Sequence, residues 1–407
     1  MSNKTPKIRF AGFSDNWEVR KLSELATMHA RIGWQNLRTS EFLDDGEYML
    51  ITGTDFEDGK INFSTCHYVE KERYEQDRHI QITNGSLLIT KDGTLGKVAY
   101  VENLSKPATL NAGIFNVEIK NEKETDRKYL FQYLKAPFLM NYVEQNATGG
   151  TIKHLNQNIL VKFDIVSPTH AEQERIGQYF SRLDDLIGLY KRKLEKSLNF
   201  KKAMLAKMFP QNGKPTPQIR FAGFNDNWEV RKLGEVADFN PKSELPKEFE
   251  YVDLESVVGT EMISHRTETK TTAPSRAQRL AKTGDIFFQM VRPYQKNNYL
   301  FLKPDNNYVF STGYAQIRPH IETKFVMSFL QTENFVKMVL DSCTGTSYPA
   351  INSNDLANLD VSFSPTHAEQ QRIGEYFSRL DDLIGLYKRK LEKSLNLKKA
   401  MLEKMFP

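Results

Sequence analysis

Apolar residues recur at coiled-coil spacing, in alternating steps of four and three, in residues 167–210. A Thr169–Glu172 capping box after Pro168 starts the pattern, and Pro210 ends it. We therefore predict one long helix of roughly 60 Å. Its apolar stripe consists of Ile176, Phe180, Leu183, Ile187, Tyr190 and Leu194, continued by Leu198, Leu205 and Met208 or Phe209.

The same stripe returns in residues 364–407, which differ from residues 167–210 at four of 44 positions. A helix with such a stripe must bury it, and the best match is the other copy; the alternative is that each helix packs only on its own neighbouring domain. Tyr190 and Tyr387 are interpreted as packing residues. The predicted helix-pairing residues are Ile176, Phe180, Leu183, Ile187, Leu194, Ile373, Phe377, Leu380, Ile384 and Leu391.

A second repeat precedes each helix, because residues 5–25 return as 216–236 with four differences in 21. The stretches between the repeats, 26–166 and 237–363, are here called the first and second inserts, and they share almost no identity. Simple duplication would spread the differences over the whole copy. The pattern therefore indicates two different modules carried by one duplicated framework.

Both inserts alternate strand-like and turn-like runs before a helical stretch, in the same order. Each then reaches a loop rich in glycine and hydroxyl groups, at 148–151 and 344–347. We predict two diverged copies of one α+β module. In the first, the strands are 48–51, 86–90, 98–101 and 114–119, and the helices are 127–136 and 138–146; in the second, the strands are 251–254, 285–290, 299–302 and 314–318, and the helix is 325–342.

Composition narrows the class of protein: 39% of residues are hydrophobic and 26% are charged, as in globular proteins. No run of 18 apolar residues predicts a membrane helix, and the first residues do not resemble a signal peptide. The two cysteines are too few for a disulfide framework or a zinc site. We therefore expect a cytoplasmic protein with no metal and no membrane partner.

The net charge of +5 is unevenly distributed. The two predicted helices carry +4 and +3, whereas the inserts carry −3 and −2. If the inserts bind DNA, they must therefore do so through local clusters of basic residues. Ten helix residues are expected to serve phosphates or partner subunits: Lys191, Arg192, Lys193, Lys201, Lys202, Lys388, Arg389, Lys390, Lys398 and Lys399.

Several of these motifs, in duplicate and in this order, resemble the specificity subunit of type I restriction-modification enzymes. They are the Thr-Gly loops at 148–151 and 344–346, the segments 16–22 and 227–233, the Lys-Asp-Gly turn at 91–93, and the apolar runs that follow Pro168 and Pro365. The resemblance implies an α+β fold with two globular target-recognition domains, joined by two long antiparallel coiled-coil helices in a pseudo-two-fold tandem repeat. The implied boundaries are 1–166 for the first domain, 167–210 for the first helix, 211–217 for a linker, 218–363 for the second domain and 364–407 for the second helix.

The resemblance also implies a non-catalytic subunit that reads an asymmetric, bipartite double-stranded DNA site with an unspecific spacer. It implies two modification (methyltransferase) subunits and added restriction subunits as partners, with S-adenosylmethionine, ATP and Mg²⁺ bound by those partners. A four-residue insertion between Phe209 and Ile219 is expected to lengthen the spacer.

Candidate DNA contacts are polar and aromatic residues near the loops and turns of each insert. Any one of them could instead be an ordinary surface group, and the Thr-Gly loops could simply be turns. The second insert has Gln289 to Tyr294 where the first has Lys91 to Thr94, so contacts at this turn cannot be equivalent. The candidates are Arg31, Trp34, Lys91, Thr94, Thr151 and Lys153 in the first insert, and Gln289, Arg292, Tyr294, Lys296, Thr346, Ser347 and Tyr348 in the second.

No enzyme motif is complete. Residues 93–98 lack the spacing of a phosphate-binding Walker loop, and the Glu-x-Lys triplet at 118–120, a nuclease fragment, has no counterpart in the second insert. Two alternatives stay open: a coiled-coil scaffold whose inserts bind proteins, and a nuclease that acts alone.

Overall fold

The computed structural model describes residues 5–92, 95–146, 155–211, 213–305, 307–345 and 348–407. The chain divides into two compact units. The first unit comprises Met1–Leu189 and Leu391–Pro407, and the second comprises Tyr190–Lys390. Each unit is α+β, and each receives a part of both long helices.

The first unit contains short strands followed by helices, and its last helix continues into the second unit. The strands are β1 (Glu18–Lys21), β2 (Ala26–His29), β3 (Tyr48–Ile51), β4 (Phe56–Glu57), β5 (Lys60–Ile61), β6 (His67–Val69), β7 (Gln81–Ile82), β8 (Leu87–Thr90), β9 (Val98–Tyr100), β10 (Ala108–Leu110), β11 (Ile114–Ile119) and β12 (Asp164–Ser167). The helices are α1 (Leu22–Leu25), α2 (Lys71–Glu75), α3 (Arg127–Lys135), α4 (Pro137–Asn146), α5 (Gln157–Leu160) and α6 (His170–Met208).

The first unit contains two four-stranded sheets, in the orders β6-β3-β10-β7 and β2-β11-β8-β9, together with the two-stranded pairs β1-β12 and β4-β5. All four residues of β8 are buried, because one face of its sheet packs on the other sheet and the opposite face packs under α3 and α4. This explains why β8 reads as a continuous apolar run and not as an alternating one.

The second unit repeats this arrangement. Its strands are β13 (Glu229–Lys232), β14 (Ala237–Phe239), β15 (Glu248–Val252), β16 (Val257–Val258), β17 (Glu261–Met262), β18 (Arg266–Thr269), β19 (Ala277–Leu280), β20 (Ile286–Gln289), β21 (Tyr299–Leu300), β22 (Tyr308–Ser311), β23 (Tyr314–Pro319) and β24 (Asp360–Phe363). Its helices are α7 (Thr323–Leu330), α8 (Glu333–Asp341), α9 (Ser353–Ala357) and α10 (His367–Met405). The sheet orders β18-β15-β22-β19 and β14-β23-β20-β21 match those of the first unit, so the prediction of two diverged copies of one module is confirmed.

The predicted single helix over 325–342 is wrong, because two helices, α7 and α8, occupy this region. The side chain of Thr332 accepts a hydrogen bond from the backbone N–H of Phe335 and caps the second helix. A threonine in this role competes with helix continuation, which the apolar periodicity alone did not reveal.

The repeated N-terminal segments fasten each module to its helices. Arg9 binds the buried carboxylate of Glu172 through two hydrogen bonds of 2.7 Å, and Arg220 binds Glu369 in the same way at 2.6 and 2.8 Å. The carboxylate assigned to a capping box is thus held by an arginine far away in the sequence. Strands β1 and β13 pair with β12 and β24, which close each module just before its helix.

The long helices run antiparallel within each unit. In the first unit Phe180 stacks on Phe406 at 5.6 Å, and Asp184 accepts a 2.6 Å hydrogen bond from Lys398. In the second unit the same contacts are made by Phe377 with Phe209, at 5.9 Å, and by Asp381 with Lys201. Each member of the second set is the repeat copy of a member of the first, so one antiparallel contact is made twice.

Most of the predicted seam residues lie at buried or partly buried positions. Ile176, Phe180 and Leu183 are buried against the end of α10, and Ile373 and Phe377 are buried against the end of α6. Ile384 is also buried, whereas Ile187, Leu194, Leu380 and Leu391 are partly buried. The same residues also contact the core of their own module. Each helix therefore packs on both its own module and the other helix, and the alternative that it packs only on its own module is wrong.

Leu198 and Leu395 contradict the seam prediction, with 45% and 48% of their surfaces exposed. Each successive step of four turns the stripe by about 40° around the helix, so a second step moves these leucines away from the partner. Lys201 and Lys398 lie inside instead, paired with aspartates. Among the described helices, none is long and apolar enough to cross a membrane.

Candidate nucleic-acid interface

In the first unit, the turn that follows β8 contacts the segment that begins at Leu155. The backbone N–H of Leu155, which follows the Thr-Gly loop, donates to the carbonyl oxygen of Lys91 at 3.0 Å, and the N–H of Lys91 donates to Gly113 at 2.8 Å. Lys91 is half-buried, and its ammonium lies 5.5 Å from the ring centre of Phe115. The structure therefore places the Lys91 turn directly beside Leu155, the first described residue after the Thr-Gly loop. Thr94, Thr151 and Lys153 lie outside the described residues.

The equivalent loops meet in the second unit through the same backbone contact. The N–H of Ile351 donates to the carbonyl oxygen of Met290 at 3.1 Å, as that of Leu155 does to Lys91. The N–H of Arg292 also donates to Pro349 at 2.8 Å. Unlike side chains are thus presented on one repeated backbone arrangement. Thr346 and Ser347 lie outside the described residues.

In the second pair of loops, an arginine stacks on an exposed tyrosine. The guanidinium carbon of Arg292 lies 4.7 Å from the ring centre of Tyr348, and 65% of the tyrosine surface is exposed. Arg292 and Lys296 have left-handed backbone angles, with φ of 54° and 55°, and they flank the 3₁₀ turn Pro293–Gln295. Such angles are costly for non-glycine residues, so the turn is fixed by its surroundings. Tyr294 within it is 50% exposed.

Arg31 does not lie on this surface, because only 2% of it is exposed. Its guanidinium donates to the carbonyl oxygen of Leu110 at 3.0 Å, to Gln76 at 3.1 Å and to Thr109 at 3.2 Å. Burial lowers its pKa, with Arg73 contributing repulsion. With its donors used inside the module, Arg31 acts as a structural crosslink, and we do not retain it as a DNA contact.

Two further candidates are occupied by contacts within the second unit. Gln289 is buried and donates to Val291 and Gln295 at 2.6 and 3.0 Å. The ammonium of Lys296 lies 3.0 Å from both the carbonyl oxygen of Gln331 and the carboxylate of Glu333. Both residues shape the turn from within. Trp34 lies in the 3₁₀ helix Gly33–Gln35.

Two repeat-related pairs of the basic helix residues contact the opposite helix. Lys201 and Lys398 are nearly buried in ion pairs with Asp381 and Asp184, so the expectation that they serve phosphates is wrong. The ammonium of Lys193 lies 5.6 Å from the ring centre of Tyr387, and that of Lys390 lies 5.6 Å from the ring centre of Tyr190. The centres of the two tyrosine rings are 6.5 Å apart. The two tyrosines are thus packing residues, as predicted.

Asp184, Asp381 and the arginines that bind Glu172 and Glu369 were not among the predicted residues. A signal was present, since all of them lie in the repeated segments. Charged residues repeated without change next to an apolar stripe could have indicated paired charges. In the Glu-x-Lys triplet, the Lys120 ammonium binds the carbonyl oxygen of Ser23 at 2.6 Å.

The fold and these paired loops define a recognition protein with two modules, in which unlike side chains occupy one repeated backbone. The chain belongs to the type I restriction modification DNA specificity domain family, whose model matches residues 14–199 and 225–396. It is thus a DNA sequence-recognition subunit of the type I restriction-modification class.

Individual relatives agree with this assignment. The chain is 26% identical to the type I restriction enzyme MjaVIII specificity subunit of Methanocaldococcus jannaschii, over 80% of each chain. It is 20% identical to the EcoDI specificity subunit of Escherichia coli, over 92% of this chain and 88% of that one. Its fold is similar to a crystal structure of a type I restriction-modification system S subunit from M. genitalium, with a TM-score of 0.68, 16% identity and 99% of both chains covered.

Proposed function

We propose that each pair of loops reads one half of an asymmetric bipartite DNA site, and that the bases between the halves are not read. The supporting observation is the repeated backbone contact, Leu155 to Lys91 and Ile351 to Met290, with different side chains around it. The matching backbone arrangement gives the two modules the same way of approaching DNA. The different side chains let each module recognise a different DNA sequence.

In the second unit, Arg292 and Tyr348 are the proposed central contacts. Arginine forms paired hydrogen bonds with guanine in the major groove, and each such pair is worth about 1–3 kcal/mol of discrimination. Stacking on Tyr348 orients the guanidinium before DNA arrives, which lowers the entropy lost on binding. Lys91 and the side chains of the Thr-Gly loop at 148–151 serve the first half-site.

The test is DNA binding by the assembled modification complex. Arg292→Ala should weaken binding by about 10-fold or more and relax the preference at one base pair of the second half-site only. The matched control is Arg266→Ala, since Arg266 stacks on Tyr251 at the same 4.7 Å but lies on β18, away from both loops in sequence. A change in the first half-site, or equal losses in both variants, would contradict the assignment.

We also propose that the chain binds two modification subunits through the paired helices, and that restriction subunits join this complex. Exposed apolar residues occur at copied positions on both helices: Leu186, Leu189, Leu198 and Phe200, then Leu383, Leu386, Leu395 and Leu397. Copied apolar surfaces suit two copies of one partner. S-adenosylmethionine, ATP and Mg²⁺ belong to those partners in this proposal.

Mass measurement of the complex tests the stoichiometry. Leu186→Glu with Leu189→Glu should remove one modification subunit, and adding Leu383→Glu with Leu386→Glu should remove both. Leu302→Glu is the control, because Leu302 is 54% exposed but lies outside the repeated helices. An unchanged complex in the fourfold variant would disprove this docking surface.

A further inference from the structure

Two histidines and a glutamate from three separate segments of the first unit converge at one edge of its sheet. His29 ends β2, Glu118 lies on β11, and His79 lies in the 3₁₀ helix Arg78–Ile80. Their ligand atoms all lie within 4.8 Å of one another. We propose that this triad, here called the His-Glu cluster, binds a divalent transition-metal ion of the Zn²⁺ class.

The distances suit such an ion. Zn²⁺ binds imidazole nitrogen and carboxylate oxygen at about 2.0–2.2 Å, so two ligands of a tetrahedral site lie about 3.3 Å apart. Nε2 of His29 is already 3.4 Å from Oε2 of Glu118. The His79 ring stacks on the His29 ring, with centres 4.4 Å apart and planes inclined by 17°. Because His79 is exposed, rotation of its side chain toward the other two residues would supply the third ligand, and water would take the fourth position.

The backbone holds the three segments in place without the ion. His29 pairs with Asn116 across the two strands, and the Asn116 amide donates to the carbonyl oxygen of His79 at 2.9 Å. The His79 N–H donates to the Asp77 carboxylate, also at 2.9 Å. This anchoring reduces the entropy that a metal must overcome to assemble the site. Two imidazoles with one carboxylate favour Zn²⁺ and its neighbours over Mg²⁺, which prefers oxygen ligands.

The second unit closes the same corner in another way, which supports a crosslinking role. Gln316, at the position of Asn116, donates to the carbonyl oxygen of Leu280 as Asn116 does to that of His79. Arg318, at the position of Glu118, forms two hydrogen bonds of 2.7 and 2.8 Å with the buried carboxylate of Asp285. A charge-based crosslink in one module thus corresponds to a metal-based crosslink in the other.

The sequence could not reveal the His-Glu cluster, because 50 residues separate His29 from His79 and a further 39 precede Glu118. Only the pairing of β2 with β11 and the Asn116 contact bring them together. The metal would fix the end of β2, and the chain leads from there into the segment with Arg31 and Trp34.

The test is Zn²⁺ binding to the full chain without an affinity tag, measured by competition with a chromophoric chelator. The wild type should bind one Zn²⁺ that excess Mg²⁺ does not displace. His29→Ala and His79→Ala should each weaken binding by more than about 100-fold, beyond the roughly 10–100-fold loss that is typical of outer-shell changes. His265→Ala is the matched control, since His265 lies 2.7 Å from Glu250 but has no second imidazole in its described contacts.

A second measurement separates binding from folding. Zn²⁺ should raise the midpoint temperature of thermal unfolding for the wild type and for His265→Ala but not for the two cluster variants. The reason is that an ion stabilises the folded state only of a variant that binds it. It should also slow hydrogen exchange in residues 76–82. The proposal is overturned if the wild type does not bind Zn²⁺, or if binding survives in both cluster variants.

Discussion

Lys135 in the first unit has a largely buried ammonium group whose charge is disfavoured by burial. Its ammonium lies 3.6 Å from Asp184, and its side chain is 26% exposed. Burial lowers the pKa of Lys135 to about 8, and the neighbouring Lys398 adds to the effect while Asp184 opposes it. Burial alone would raise the pKa of Asp184, but Lys135 and Lys398 outweigh it and the pKa is lowered. One aspartate thus serves two lysines.

Stability should therefore depend on pH through Lys135. Its folded-state pKa of about 8 is below the ordinary value of 10.5, so the unfolded chain binds more protons between these values. The contribution of Lys135 to the free energy of unfolding should rise with pH in this window, by at most about 3 kcal/mol. Urea unfolding of the wild type and Lys135→Met at several pH values measures it, since other titrations cancel in the difference. A difference that is flat from pH 7.5 to 10 would contradict the shifted pKa.

Residue types could be predicted from the sequence more readily than residue roles. Arg31 and Arg292 both fitted a DNA contact, yet one is internal and the other stacks on an exposed ring. The difference arises from strand pairing and loop closure, which bring Leu110 and Gln76 to Arg31 and Tyr348 to Arg292. In each of these contacts the two residues lie far apart in the sequence, so no local pattern predicts them.

At the scale of elements, periodicity predicted the long helices well, because an apolar stripe that continues over about ten turns is typical of a long helix and of no other regular structure. It predicted the shorter elements less well. The break between α7 and α8 depends on one threonine cap, and the turn of Leu198 away from the seam depends on accumulated rotation. The repeated N-terminal strands β1 and β13 have partners more than a hundred residues away, which no local pattern indicates.

The helix contact is testable with two double variants. Leu183→Asp with Leu380→Asp places carboxylates where the helices meet each other and their modules, which should cost several kcal/mol and abolish binding to the full DNA site. Leu198→Asp with Leu395→Asp changes the same residue type at exposed positions and should alter unfolding by less than about 0.5 kcal/mol. Urea midpoints and gel retardation, both measured on the chain without modification subunits, report the two effects. Equal destabilisation by both variants would mean that the exposed leucines also pack in solution.

For the whole molecule, confinement of sequence differences to the inserts predicts modular recognition. Exchanging residues 26–166 for the insert of another specificity subunit should change one half of the DNA site and leave the other half intact. Methylation mapping in a host that lacks the native system measures this directly. If both halves change together, recognition is not divided between the inserts.

Spacing between the half-sites should depend on the helices and not on the linker. The N–H of Ile219 donates to the carbonyl oxygen of Lys207 at 2.9 Å, so the linker folds back onto the helix end. The insertion between Phe209 and Ile219 is thus expected to form a loop and leave the spacer unchanged, contrary to the sequence-based expectation.

Seven residues inserted both after Leu189 and after Lys390 keep the heptad phase and the antiparallel register. They should lengthen the spacer by about three base pairs, since they add about 10 Å of helix. Binding to DNA libraries with spacers varied one base pair at a time distinguishes the two insertions. An unchanged spacer in the helix variant would assign spacing to the partner subunits.

The same lysine–aspartate ion pair occurs twice in the chain. Its charges can therefore be changed so that each half of the chain binds only a chosen partner. Residues 1–210 contain both Asp184 and the copy of Lys398, namely Lys201, so a half-chain can pair with a second copy of itself. Asp184→Lys in residues 1–210 and Lys398→Asp in residues 211–407 would give one half-chain two lysines and the other two aspartates at the contact. Each half-chain would then repel its own kind and bind the other, so that first and second modules from different proteins could be mixed in one tube and assembled only as the intended heterodimers.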